Sequence, residues 1–327
     1  MKPYSRRLAA GGVAALVGLG ALAAQAQAQV YPARTITMIV PFAAGGPTDV
    51  VARIVTGHMA QTLGQSIIIE NVVGAGGTTA TARAARAAND GYTLITGHMG
   101  THAAAVPLYP NLAYHPEKDF EPVALLAGTP ILILARKDFP PKDLKEFITY
   151  VKANESKVNA AHAGVGSVSN VSCELLNSVL GIKPVGVPFN GTGPAMNALV
   201  GGQVDYMCDQ IVNAVPQING GAIKAYAVAT AERNPSLPNV PTTAEAGLPA
   251  FQAQAWNAIF APKGTPAPIV ATLNAAVAKA LDDENVRKRL LDLGSVIPGP
   301  ADRSPEALAA LVKSEIAKWT PVLKPAG

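Results

Sequence analysis

The sequence predicts an α/β protein built from two lobes. Short apolar runs typical of buried strands alternate with segments whose apolar residues recur at helical spacing, and glycine and proline separate them. The chain has 327 residues, which is longer than one hydrophobic core usually supports. Two extended segments, 130–135 and 251–261, are able to cross between lobes. The predicted first lobe is therefore discontinuous, with residues 30–130 and 256–327, and the second lobe is 131–255.

Each element follows from its local pattern. The run Thr35–Val40 predicts a buried strand, and apolar residues between Val50 and Leu63 then recur on one helical face. Further strands are predicted at 66–70, 93–96, 122–135 in two pieces, 158–163, 185–189, 204–208 and 225–229. Further helices are predicted at 78–88, 144–153, 169–180, 195–200, 269–281, 284–293 and 305–320.

The first 28 residues have the order of a secretory signal peptide. Lys2, Arg6 and Arg7 precede an apolar run, and small residues around Ala26 and Ala28 suit a signal peptidase. The alternative is an uncleaved membrane anchor, for which the run is close to the minimum length. We expect cleavage after Ala28, or alternatively after Ala26, and export to the periplasm.

Cleavage changes the charge of the protein. The full chain has 26 basic and 22 acidic residues. Three basic residues and no acidic ones leave with residues 1–28, so 23 basic and 22 acidic residues remain. A balance so close to neutral, without a basic cluster, argues against nucleic acid or an anionic membrane surface as a partner.

Two loops form a weak internal repeat. Residues 41–47 (PFAAGGP) and 188–194 (PFNGTGP) both join a predicted strand to a helix. Proline suits the first turn of a helix, and glycine lets the backbone approach a ligand. Unpaired N–H groups at helix starts bind anions such as carboxylates. The alternative is ordinary turn chemistry, but one such loop in each predicted lobe favours a shared anion site.

Two more loops follow predicted strands. Residues 163–170 add serine hydroxyl groups, and residues 97–102 contain His98 and His102. Arg53 is the cation nearest to the first repeat loop in sequence, and it lies more than a helical turn beyond that loop. We therefore expect neutral donors, rather than arginine or lysine, to hold the anion.

Cys173 and Cys208 are the two cysteines of the chain. In an oxidising compartment such a pair usually forms a disulfide, and we predict that bond here. The alternative is a pair of small buried apolar side chains whose geometry prevents bonding.

The sequence argues against catalysis, metal binding and nucleotide binding. Cys173 lacks an activating motif, and Ser167 lacks the glycine two residues later that a nucleophile elbow requires. His98 and His102 are spaced for a helix but lie in a predicted loop, so we expect no metal site. Residues 74–77 (GAGG) lack the spacing of a nucleotide-binding loop. We expect no enzymatic activity and no cofactor.

Several motifs together resemble the tripartite tricarboxylate transporter receptors, also called the Bug family. They are PFAAGGPTDVVAR, NVVGAGG, AGVGSVSN, PFNGTGPAMNALVGGQVDYM and NVPTTAEAGLP, in the family's order along the mature chain. The resemblance implies a type II periplasmic-binding-protein fold, with two Rossmann-like lobes joined by two crossover strands.

The resemblance also implies a function and a set of ligand contacts. A monomeric receptor would capture a di- or tricarboxylate or an aromatic acid and deliver it to membrane transporter subunits. The alternative is a sensor input for a membrane signalling partner. Phe189 stands where the family often has tyrosine, which removes a phenolic donor. The implied ligand-binding residues are Phe42, Ala44, Gly45, Thr48, Thr101, Gly166, Ser167, Asn190, Gly191, Thr192 and Asp209.

Overall fold

The computed structural model describes residues 31–323, so the predicted signal peptide lies outside the described residues. The strands are β1 (Ile36–Val40), β2 (Ile67–Asn71), β3 (Thr93–His98), β4 (Phe120–Arg136), β5 (Asn159–His162), β6 (Val185–Pro188), β7 (Tyr206–Gln210), β8 (Ile223–Val228) and β9 (Gln254–Pro262). The helices are α1 (Pro47–Leu63), α2 (Thr78–Ala85), α3 (Ala105–Leu108), α4 (Leu144–Ala153), α5 (Val168–Leu180), α6 (Thr192–Val200), α7 (Ile211–Asn219), α8 (Ala267–Asp282), α9 (Glu284–Asp292) and α10 (Pro305–Leu323).

Within residues 31–323, nine strands form one continuous sheet in the order β2-β1-β3-β9-β4-β7-β5-β6, with β8 also beside β4. The strands β1, β2 and β3 are parallel, as are β5, β6 and β7. Helices connect these parallel strands, which is the arrangement that the alternating sequence pattern predicts. The first group belongs to what we call the first lobe, and the second group to the second lobe.

The strands β4 and β9 connect the lobes. The first part of β4 pairs with β9 in antiparallel register, from Phe120 opposite Pro262 to Pro130 opposite Gln254. From Ile131 onward, β4 pairs instead with β7 and β8. Since β4 is one strand of 17 residues, the prediction of two separate pieces in 122–135 is wrong. The lobe limits given above stay a prediction.

Helix α1 shows why the chain folds locally as its pattern predicts. Val51, Val55 and Met59 are fully buried on one face. Pro47 occupies the first turn, where a missing N–H costs nothing, and Gly64 ends the helix in the left-handed conformation. The apolar face packs into a cluster that includes residues of α8 and of the sheet.

Three local predictions need correction. Helix α7 was not predicted, because it follows β7 directly without glycine or proline to mark its start. The segment 97–102 is not a loop, since β3 continues through His98 and a π-helical turn follows at Gly100–Ala104. Asp209 lies inside β7 rather than after it.

Candidate functional site

The two repeat loops meet across a cleft between the lobes. The N–H of Ala43 donates a hydrogen bond to the carbonyl oxygen of Asn190 at 3.0 Å. A methyl group added at Gly193 would lie 2.8 Å from the carbonyl oxygen of Ala44, and one added at Gly46 would lie 3.2 Å from the Thr192 hydroxyl. The glycines therefore allow the loops to touch, and the cleft is closed.

A second contact closes the cleft beside the first. The Tyr109 hydroxyl donates to the carbonyl oxygen of Val165 at 2.7 Å and lies 3.2 Å from that of Ala75. A methyl group on Gly164 would lie 3.1 Å from the N–H nitrogen of Gly76. Residues 74–77 therefore form a tight turn that packs against the second lobe.

A small cavity lies behind the meeting loops. Its volume is about 20 Å³, which is room for roughly one water molecule. A larger pocket, which we call the outer pocket, has a volume of about 360 Å³ and opens toward solvent. It shares Phe42 and Ala163 with the small cavity, which we call the inner cavity. The inner cavity is lined by Phe42, Gly46, Pro47, Thr48, Asp49, His98, Ala163, Ser167, Val168, Ser169, Thr192 and Gln210.

The predicted site residues take four kinds of position, and the fourth of these is behind the cavity wall. Four of them line the inner cavity and Asn190 lines the outer pocket. Ala44 and Gly191 form the contact between the lobes. The Gly45 N–H is already bound by the Asp49 carboxylate, and the Gly166 N–H by the Asn170 side chain. The four cavity residues are Phe42, Thr48, Ser167 and Thr192.

Thr101 and Asp209 lie behind the cavity wall and are fully buried. The Thr101 hydroxyl is 2.9 Å from Nδ1 of His102. The Asp209 carboxylate accepts hydrogen bonds from the Gln210 N–H and the Asn213 side chain. Burial raises the pKa of Asp209 to about 7, although these hydrogen bonds and the Thr192 hydroxyl act in the opposite direction. Both residues therefore support the wall rather than form it.

Two helix starts face the cleft without side-chain caps. Gly46 precedes α1 and Gly191 precedes α6, and among the described residues no side chain caps either start. Helices α4 and α9, away from the cleft, are capped by Asp143 and Asp283. The open starts of α1 and α6 leave partial positive charge and N–H donors beside the cavity.

The charges around the cavity are balanced locally. None of the described residues that line the inner cavity is lysine or arginine. Asp49 is one of the residues that line it, and Arg53 pairs with the Asp49 carboxylate through two hydrogen bonds of 2.9 Å. Burial opposes ionisation of Asp49, yet the bonds from Arg53, the Gly45 N–H and Asn71 outweigh it and lower its pKa. Asp49 is thus ionised with its charge compensated, and the free groups on the wall are neutral donors.

Sequence reasoning missed Asp49, His98 and Gln210 as cavity residues. His98 ends β3 and Gln210 ends β7. Ligands of open α/β sheets bind beyond the carboxyl ends of the strands. That rule identifies both positions once the strand ends are known.

Comparison with known proteins identifies the family. The sequence model described as tripartite tricarboxylate transporter family receptor matches residues 51–327. The chain belongs to this family. The resemblance predicted from its motifs is therefore confirmed.

Solved structures of similar proteins agree with this family and its fold. MatC from Rhodopseudomonas palustris, solved with bound malate, is 62% identical, with 90% of this chain and 100% of that chain covered and a TM-score of 0.88. The periplasmic binding protein BugD is 44% identical, with 91% and 99% covered and a TM-score of 0.87. A further R. palustris protein, solved with adipate, is 34% identical, with 90% and 97% covered and a TM-score of 0.85. The predicted periplasmic-binding-protein fold is confirmed.

Three other features of this receptor-family chain bear on the sequence predictions. The Sγ atoms of Cys173 and Cys208 face each other at 2.6 Å in the core, and the disulfide itself stays a prediction. Over residues 31–323, every helix is too short or too polar to cross a bilayer. The same residues contain no group of three or more His, Cys, Asp or Glu side chains placed to hold a metal ion.

Proposed function

We propose that this protein is a periplasmic solute-binding protein that captures a small carboxylate between its lobes for a tripartite tricarboxylate-type transporter. The observation that carries the proposal is the pair of uncapped helix starts, α1 and α6, on opposite sides of one cavity. The malate and adipate bound by similar proteins support the same class of ligand.

Binding depends on donors that are already in place. A ligand carboxylate accepts hydrogen bonds from the N–H groups at the two helix starts and from the hydroxyl groups of Thr48 and Ser167. Neutral donors hold an anion less tightly than a bidentate arginine does, so the ligand can be released. Release is what delivery to a transporter requires.

Opening and closing of the cleft form the second part of the proposal. The inner cavity of about 20 Å³ has room for roughly one water molecule and cannot hold a dicarboxylate in the closed form of the cleft. The lobes therefore separate about β4 and β9 to admit the ligand and close over it, which excludes water and strengthens each hydrogen bond.

The remaining parts of the proposal concern cellular context. Residues 1–28 direct export and are removed, and the mature monomer works in the periplasm. It changes no bond in its ligand, and it passes the ligand to the membrane subunits of the transporter. The limits 30–130 with 256–327, and 131–255, define the lobes that move.

Thermal unfolding with a set of carboxylates tests the proposal. L-malate, succinate, adipate, citrate and terephthalate are added at 1 mM to about 5 μM purified mature protein, and the diamide of malate serves as a control without charge. A ligand at 100 times its dissociation constant stabilises the folded state by about 2.7 kcal/mol. We expect at least one acid to raise the Tm while the diamide does not. If none of the acids raises the Tm, and calorimetric titration detects no binding of any of them, the proposal is overturned.

A further inference from the structure

His98 lies at the inner wall of the cavity and is fully buried. Its ring stacks on Phe42, with the ring centres 5.2 Å apart and the planes 21° from parallel. Because Phe42 belongs to the first repeat loop, the imidazole is fixed beside the start of α1. The ring is therefore a rigid part of the proposed carboxylate site.

The hydrogen bonds of His98 determine where its proton lies. Nδ1 accepts from the N–H of Gly100 at 2.9 Å and lies 3.3 Å from the N–H nitrogen of Thr101. A nitrogen that accepts N–H donors carries a lone pair, so the ring proton sits on Nε2. Burial lowers the pKa of His98 to about 3, which keeps the ring neutral at physiological pH.

The Nε2–H group is left without a partner. In the described part of the chain, Nε2 of His98 is buried and makes no hydrogen bond. A buried donor without an acceptor costs roughly 1–3 kcal/mol, so such a group requires an explanation. The backbone bonds hold the Nδ1 edge of the ring, so the unpartnered Nε2–H lies on the edge that they leave unbound, and His98 is one of the residues that line the cavity.

Gln210 presents a second donor at the same cavity. Its Oε1 accepts from the Thr129 hydroxyl at 2.6 Å and from the Asn257 side chain at 3.0 Å. These bonds hold the carbonyl end of the amide against β4 and β9. The NH₂ end makes no hydrogen bond within the described residues, and Gln210 is one of the residues that line the cavity.

We propose that the His98 Nε2–H group and the Gln210 side-chain NH₂ group bind an acceptor oxygen of the captured carboxylate. This inference rests on the proposed function and adds two residues, one from each lobe, that select the ligand. Both groups are neutral and donate, so the pair favours a carboxylate or hydroxyl oxygen at that place. An ammonium group has no lone pair to offer, and the pair would exclude it.

The variant Gln210→Glu tests the second donor. Its carboxylate still accepts from Thr129 and Asn257, but it replaces the NH₂ donor with a charge that repels the ligand. We expect calorimetric titration with the most stabilising acid of the thermal screen to show affinity at least about 100-fold weaker. Gln217→Glu on α7 makes the same chemical change away from the cavity and should bind within twofold of the parent.

Nuclear magnetic resonance of the unmodified mature protein tests His98 without a risk to folding. Protein labelled with ¹⁵N in its histidine rings should show His98 as the Nε2–H tautomer. Its Nε2–H resonance should move downfield when the same acid saturates the protein. His102 is equally buried but outside the cavity wall, so its resonance should stay in place.

The outcomes separate this inference from the proposed function. An unchanged His98 resonance at saturation, or a folded Gln210→Glu protein that binds within threefold of the parent, overturns the inference and leaves the receptor function intact. If Gln210→Glu does not fold, the response of the His98 resonance to ligand in the parent protein decides whether the inference stands. A parent that binds none of the acids refutes the proposed function itself.

Discussion

The Ala43 N–H and the Asn190 carbonyl oxygen are 3.0 Å apart and hydrogen-bond across the cleft. Each residue belongs to one of the two repeat loops, so backbone atoms of one lobe hold backbone atoms of the other. Such a bond forms only where no side chain keeps the loops apart. Glycines at 46, 191 and 193 meet this condition, and a methyl group at any of them would press on the opposite wall.

Replacing Gly193 with alanine should weaken ligand binding by hindering closure. The added methyl group would lie 2.8 Å from the carbonyl oxygen of Ala44, so the closed form becomes less stable relative to the open form. We expect affinity for the acid that stabilises the parent to fall about tenfold, which corresponds to about 1.4 kcal/mol.

The control for this change is Gly57→Ala on α1. Gly57 is inside the helix, and a methyl group there meets no other atom within 4 Å. Alanine should raise stability by about 1 kcal/mol through its helix propensity and leave affinity unchanged. Small-angle scattering should show Gly193→Ala, and not Gly57→Ala, as more open with ligand present. Equal affinities of the two variants would contradict the role of the glycines.

Replacing Ser167 with alanine should lower both stability and affinity. The Ser167 hydroxyl lies 3.3 Å from the Asn170 N–H nitrogen, which it caps at the start of α5, and it also lines the cavity. Loss of the cap costs about 1 kcal/mol of unfolding free energy, and loss of a hydrogen bond to a charged ligand costs about 1.5–3 kcal/mol of binding energy.

Asp143→Ala separates these two effects. Asp143 caps α4, where its side chain accepts from the Glu146 N–H at 2.8 Å, and it does not line the cavity. This variant should lose similar stability in urea denaturation but keep the parent's affinity in calorimetry. If Ser167→Ala also keeps that affinity, Ser167 does not contact the ligand.

The buried Asp209 should make stability fall as pH rises. Its pKa is raised from 3.8 to about 7 in the folded protein, so folding favours the protonated carboxyl group. That contribution is fully present below about pH 4 and is lost as pH rises to about 7, by at most about 4 kcal/mol. Urea denaturation from pH 4 to pH 8 measures it.

Asp209→Asn should reduce that pH dependence because asparagine stays neutral throughout. Asp138→Asn changes an exposed residue and should leave the pH dependence as in the parent. An identical dependence in the parent and in Asp209→Asn would show that Asp209 does not titrate in this range.

Exported protein should contain a disulfide between Cys173 and Cys208. The bond would tie α5 to β7 across 35 residues of chain and stabilise the fold by roughly 3–4 kcal/mol. Intact mass after alkylation in denaturant should show no free thiol until reductant is added, and reductant should lower the Tm. The double variant Cys173→Ser, Cys208→Ser should not respond to reductant. Alkylation of both residues before reduction would disprove the bond.

Much of the fold could be predicted from local pattern. The strand at 36–40 and the helix at 47–63 follow from apolar periodicity, a proline at the helix start and a glycine at its end. The errors occur where tertiary contacts override local signals. Bonds to β9 along its first part, and to β7 and β8 along its second part, hold β4 in one continuous strand through Pro122 and Pro130. At 98–101, the His98 side chain accepts backbone N–H groups and closes a helical turn that its sequence does not signal.

Likewise, one part of the candidate site could be predicted from sequence and another part could not. The loops 41–47 and 188–194 could be found from sequence because glycine and proline at fixed offsets mark a strand-to-helix turn. The cavity positions of His98 and Gln210 could not, since each is the last residue of a strand whose neighbours were unknown. Thr101 and Asp209 lie near the loops, but whether a side chain forms a wall or supports it depends on packing.

The sequence by itself determined the α/β class, the family and the two strand-to-helix loops that we propose bind an anion. These properties are local, because they depend on residues a few positions apart. Only the tertiary structure decided that the loops touch, which groups line the space behind them, and which donors remain without partners. Those properties arise from residues far apart in the chain, such as Ala43 and Asn190, which the sheet brings within one hydrogen-bond length.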